Sequence, residues 1–67
     1  MKNNIKVKRA KAGLTQAKLA ELVKVSRQTI NAVEANKYVP STVLALRMAS
    51  VFGCSVEEVF SFEEDEK

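Results

Sequence analysis

The segment from Leu14 to Glu34 constrains the fold more than any other part of this 67-residue chain. It holds two short runs of helical periodicity separated by only three residues, Lys24-Val25-Ser26. Thr15 stands where a helix N-cap is expected, and Leu19, Ala20, Leu22 and Val23 then give a mostly apolar inner face. Ser26 caps the second run, in which Ile30 and Val33 recur at helical spacing towards Asn36. The segment therefore predicts two short helices joined by a tight turn.

The flanks extend the pattern to an all-α bundle of five helices. A first helix is expected from about Asn4 to Ala12, with Ile5 and Ala12 seven apart and Gly13 closing it. Pro40 disfavours helix at Val39, which makes Lys37-Tyr38-Val39-Pro40 a loop. Ser41 then caps a fourth helix carrying Val43, Leu44, Leu46, Ala49, Val51 and Phe52, ended by Gly53. Ser55 caps a last short helix from Val56 to Phe60, with Glu57 and Glu58 in its first turn and Glu58 at capping-box spacing. The ends, Met1–Asn4 and Ser61–Phe62, either lie side by side as a small ribbon or fray. One domain is expected over 1–62, with the helix-turn-helix at 15–36 and a solvated, disordered acidic tail at 63–67.

Inventory excludes much chemistry. The chain has no His and one Cys, Cys54, so zinc fingers, Ser-His-Asp triads, Cys-His nucleophiles and internal disulfides are impossible. There is no Gly-rich phosphate loop or paired-carboxylate cleft to support catalysis, and no apolar run of the ~20 residues a bilayer requires. A reduced, cytoplasmic protein without enzymatic activity, metal or cofactor is expected, with no membrane partner.

Charge is divided unevenly. Residues 1–38 hold nine Lys and Arg against Glu21 and Glu34, a net +7, whereas residues 39–67 carry a net −4. A basic half suits a polyanion and an acidic half suits facing away from it. The basic half is also the half with the helix-turn-helix pattern.

On the second helix of that pattern, Arg27, Gln28, Asn31 and Ala32 fall outside the Ile30/Val33 stripe. Arg can form a bidentate fork on guanine O6 and N7, and Gln can do the same on adenine N6 and N7. Ala32 offers a methyl for thymine or leaves space. These four are candidate base contacts in the major groove of duplex DNA. Thr29 is within reach of a phosphate, and Gln16, heading the preceding helix, joins its amide to free backbone N–H groups that suit a phosphate oxygen. Lys37 and Tyr38 are placed for a phosphate on the neighbouring strand, although Tyr38 could equally pack over Pro40.

Arg9 and Glu34 each lie on the inward side of a helix. Two opposite charges aimed at a small core are best explained by meeting each other, because an unpaired buried charge costs several kcal/mol. A structural pair between the first and third helices is predicted.

Gly13-Leu14-Thr15-Gln16, Leu19-Ala20, Val25-Ser26, Ile30, Glu34, Lys37, Pro40-Ser41 and the Leu46…Ala49…Phe52-Gly53 helix together resemble the Cro/C1-type helix-turn-helix family, also described as lambda repressor-like or xenobiotic-response-element type. The resemblance covers roughly residues 5–60 and is nearest to compact members with Ser-Arg-Gln-Thr-Ile-Asn in the recognition helix. It implies a five-helix DNA-binding domain, acting mostly as a repressor and usually as a homodimer on a palindromic operator. By position it implies phosphate contacts at Gln16 and Thr29, base contacts at Arg27, Gln28, Asn31 or Ala32, and pairing of Arg9 with Glu34. Two positions depart from the family. Lys24 stands where Gly is usual, which costs ~1 kcal/mol in a left-handed turn unless the ammonium gains by facing phosphate. Lys8 replaces an apolar residue, so the first helix is expected to pack less deeply.

Val39, Val43, Val56, Phe60 and Phe62 are more apolar residues than one short end needs to bury, which suggests the partner surface of a homodimer. The alternative is that Phe60 and Phe62 fold back onto the monomer's own core. A protein-binding module of the antitoxin or antirepressor type on the same fold is the competing function.

Overall fold

Four hydroxyl side chains set the starts of four helices. Thr15, Ser26, Ser41 and Ser55 each accept a hydrogen bond from the backbone N–H three residues on, at 3.0, 3.2, 3.1 and 3.3 Å. These bonds satisfy donors that a helix start otherwise leaves open. In the computed structural model, which describes residues 1–62, the elements run β1 (Lys2–Asn3), α1 (Ile5–Ala12), α2 (Gln16–Val23), α3 (Arg27–Glu34), α4 (Thr42–Phe52), α5 (Val56–Val59) and β2 (Phe60–Ser61). The acidic tail expected at 63–67 lies outside the described residues. The fold is the expected five-helix domain, with α3 and α5 slightly shorter than the periodicity suggested.

The helix ends are equally local. Gly13 and Gly53 close α1 and α4 in the left-handed conformation, with φ of 70° and 66°. At the end of α2 the same conformation is taken by Lys24, φ 64°, as the sequence implied. Beyond α3, Asn36 turns left-handed with φ 59°; asparagine tolerates this better than most side chains.

Every helix contributes to one core. Ile5, Leu19, Val23, Ile30, Val33, Met48 and Val59 are all essentially inaccessible to solvent. Burying each such side chain contributes about 1.5–3 kcal/mol, a large fraction of what a domain this small can accumulate. Ile5 is the one fully buried residue of α1, and Val7 is exposed, in keeping with the shallow packing expected from Lys8. Lys8 instead faces Glu58 at 3.8 Å. Glu58 joins the Ser55 cap through its backbone N–H.

The two ends of the described chain meet. β1 and β2 pair antiparallel, Lys2 with Ser61 and Asn3 with Phe60, and the Asn4 N–H donates to the Val59 carbonyl at 2.8 Å. The ribbon alternative is therefore the one realised. Two readings of the sequence need correction. Phe60 belongs to β2 and turns its ring inward, 8% exposed, while Ser61 faces out, so Phe60 is core rather than a projecting partner residue. Leu22 lies roughly a hundred degrees round α2 from the centre of its buried stripe and is exposed. Leu46 is likewise on the outer side of α4, opposite Leu44, Ala45, Met48 and Ala49.

Candidate nucleic-acid interface

Helix α3 is held by its inner side and left open on its outer one. Ile30 and Val33 are buried against α2 and the rest of the core. At 100° per residue, Arg27, Asn31, Gln28 and Ala32 occupy an arc of about 140° on the opposite side. Arg27, Gln28 and Asn31 are exposed and Ala32 is half-buried. The Ser26 cap places Arg27 and Gln28 in the first turn, so the most extended donors and acceptors stand at the leading end of the helix. Guanidinium and amide groups there have the donor and acceptor pattern that base edges require.

Around this face lie the residues considered for phosphate contact. Lys24, in the turn between α2 and α3, and Lys37, just beyond α3, are exposed, as is Tyr38. The Thr29 hydroxyl is 3.0 Å from Ser26 Oγ, so it is positioned by the cap and half-buried. Gln16 is half-buried, and its Nε2 donates to Glu34 Oε1 at 3.3 Å. Sequence spacing alone did not reveal that contact, because its partner lies on another helix.

Glu34 gathers three elements at one carboxylate. Arg9 Nε donates to Oε2 at 2.7 Å and Arg9 Nη2 to Oε1 at 3.1 Å, a bidentate pair with side chains only 14% and 10% exposed. Arg9 Nη1 donates to the Leu14 carbonyl at 3.0 Å. The predicted pair is thus present, joined by Gln16. The hydrogen bond that Arg9 donates to Glu34 raises the Arg9 pKa; burial opposes this and the carboxylate charge reinforces it. A raised value keeps the stabilisation fully present below the unfolded pKa and loses it only above the folded one. For arginine that lies beyond ordinary working pH, so Arg9 itself adds no pH dependence there.

Two further ties were missed by the sequence reading. Arg47 on α4 donates from Nη1 to the Val23 carbonyl at 3.4 Å, capping the end of α2 from outside. Asn3 reaches the end of α3, as described below. A long polar side chain near a helix gives no sequence signal of which distant carbonyl it will find.

Several of the apolar residues left on the surface lie on α4, on the loop before it and on the last described residue. Val39, Val43, Leu46 and Phe62 are exposed by 70%, 56%, 56% and 64%. One groove is lined by Val39, Pro40, Leu46, Val56 and Phe60, and an adjoining one by Phe60 and Phe62; Met1 borders both. Phe60 and Val56 form the floor of these grooves rather than their rim.

A small core-anchored helix-turn-helix, with polar fork-shaped side chains on the open side of its second helix, defines a class of DNA-binding regulator. Residues 5–59 match the family model described as helix-turn-helix. The chain belongs to the Cro/C1-type helix-turn-helix family. It is 50% identical to an uncharacterized HTH-type transcriptional regulator of Methanocaldococcus jannaschii over 98% of this chain and 100% of that one. It is 48% identical to the uncharacterized HTH-type transcriptional regulator YgzD of Bacillus subtilis, covering 97% and 98%. An uncharacterized HTH-type regulator of Archaeoglobus fulgidus is 46% identical over 98% of this chain and 93% of its own. No helix among the described residues is long and apolar enough to cross a membrane.

Proposed function

We propose that this chain is a cytoplasmic, non-enzymatic repressor that binds a palindromic operator as a homodimer, with α3 of each copy in the major groove. The observation that carries the reading is the outer side of α3. Arg27, Gln28 and Asn31 are exposed there while the inner side is fixed by Ile30 and Val33. In this assignment Arg27, Gln28, Asn31 and Ala32 meet base edges. Gln16, Lys24, Thr29, Lys37 and Tyr38 meet phosphates. Gln16 keeps a second amide hydrogen beyond the one given to Glu34, and the Ser26–Thr29 hydroxyl pair keeps a proton beyond the one it shares. Repression follows from occupancy, since a covered duplex is closed to other proteins.

The apolar end is assigned to a second copy. A single domain spans about one half-site, and useful specificity requires two. A stable interface needs about 800 Å² per partner, under a fifth of the 4550 Å² this chain exposes. The chain measures 32 × 22 × 20 Å, so two copies joined face to face are commensurate with recognition helices ~34 Å apart.

Selection of bound duplexes from a random pool tests this directly. The expected product is a two-fold symmetric motif bound with a steep salt dependence. Enrichment of a single unrepeated half-site would remove the homodimer. Absence of any enrichment would remove base recognition.

A further inference from the structure

The carboxyl end of α3 is secured by a residue far away in sequence. Asn3 of β1 donates from Nδ2 to the carbonyls of Val33 and Glu34, at 3.1 and 3.3 Å, and to Asn36 Oδ1 at 3.0 Å. Its own Oδ1 accepts the Ile5 N–H at 3.2 Å, serving the start of α1 that Asn4 does not cap. The last turn of a helix is where carbonyls run short of partners; the Val33 carbonyl takes the Asn36 N–H at 3.1 Å, and the side chain from the ribbon adds a donor there and at Glu34.

The next residue is tied elsewhere. Asn4 Nδ2 donates to the Glu58 carbonyl at 3.2 Å, and its backbone N–H donates to Val59. The chain leaves the strand at Asn4, φ −113° and ψ 23°, and this pair of asparagines joins α3 through the first and α5 through the second. Asn3 is also the residue paired with Phe60 in the ribbon, and Phe60 floors the apolar grooves. One short, hydrogen-bonded span thus runs from the recognition helix to the surface assigned to the second copy.

We infer that Asn3 is a positioning residue for operator recognition: it fixes the angle between α3 and the ribbon-bordered apolar face, and thereby the half-site spacing a two-copy complex accepts. The inference rests on the homodimer reading above. Arg9 and Gln16 hold the same end of α3 to α1 and α2 through Glu34, so the domain stays folded without Asn3. What the Asn3 amide adds is the tie to the ribbon. Freed from it, α3 can rock while remaining packed, and the two recognition helices lose their common reference.

The test uses the full chain and two variants, Asn3→Ala and Asn36→Gly. The second keeps the left-handed turn at no steric cost and removes one acceptor. Each is titrated against a single half-site duplex and against palindromes with half-site separations of about 9 to 12 base pairs. Expected for Asn3→Ala is half-site binding within about twofold of the parent, with the preference for the best spacing over its neighbours reduced roughly tenfold. Asn36→Gly should reduce that preference by a smaller factor. An Asn3→Ala profile parallel to the parent's overturns the inference, as does an equal loss on half-site and palindromes, which marks a structural role alone. A parent chain indifferent to spacing fails at the homodimer reading first and takes this inference with it.

Discussion

The Arg9 guanidinium grips the Glu34 carboxylate through two parallel hydrogen bonds, of 2.7 and 3.1 Å, and so joins α1 to the recognition helix. A fork-to-fork pair of this kind is stronger and more directional than a single contact. It sits largely out of water, where removing one member leaves the other charge uncompensated.

Glu34→Ala should therefore destabilise the fold by about 2–4 kcal/mol. In a domain this size that lowers Tm by roughly 10–25 °C. Thermal unfolding followed by circular dichroism measures it. Base preference of the molecules that remain folded should change little. A variant melting with the parent would show that the pair contributes nothing.

Arg27→Ala should relax preference at one base pair in each half-site, at a cost of ~1–3 kcal/mol. Competition with duplexes substituted one position at a time separates the outcomes. A uniform loss on every sequence would make Arg27 a phosphate anchor instead.

Lys24→Gly should act in opposite directions on folding and on binding. Relief of the left-handed strain at Lys24 should stabilise the free protein by about 1 kcal/mol. Loss of one phosphate contact should lower affinity for all duplexes and reduce the log–log salt slope by about one. An unaltered slope would leave Lys24 as turn residue only.

Leu46→Glu places a charge on the exposed side of α4, where nothing in the monomer depends on the leucine's outer atoms. Folding stability should stay within about 0.5 kcal/mol of the parent's, as for ordinary surface changes. Self-association in sedimentation equilibrium should be lost, and palindrome affinity should fall towards that of a half-site. A dimer as strong as the parent's would move the partner surface away from α4.

The legible part of this molecule was the local part. Thr15, Ser26, Ser41 and Ser55 announce helix starts because a hydroxyl three residues before an N–H is a property of the chain itself. Gly13 and Gly53 announce ends for a similar reason. Arg9 and Glu34 could be paired from sequence because burial makes an unmatched charge expensive, which narrows the partners to one another. Phe60 was misjudged because the helical reading ran one residue past Val59, where the chain turns into β2, and Leu22 because an apolar side chain does not by itself fix its facing. Asn3, Arg47 and the Gln16–Glu34 contact went unseen because their acceptors are 18 to 33 residues away in sequence and a polar side chain of this kind does not name its partner.

The sequence by itself determined five helices, the N-caps of four of them, the turn at Lys24 and the polar outer side of α3, since each depends on residues within about one helical turn. Only the tertiary structure decided that the chain ends pair as a ribbon, that Phe60 goes inward while Phe62 stays out, and that Asn3 holds the end of the recognition helix. Those outcomes depend on which distant surfaces meet when the core closes. A short polar or aromatic side chain can satisfy several such meetings equally well until packing selects one.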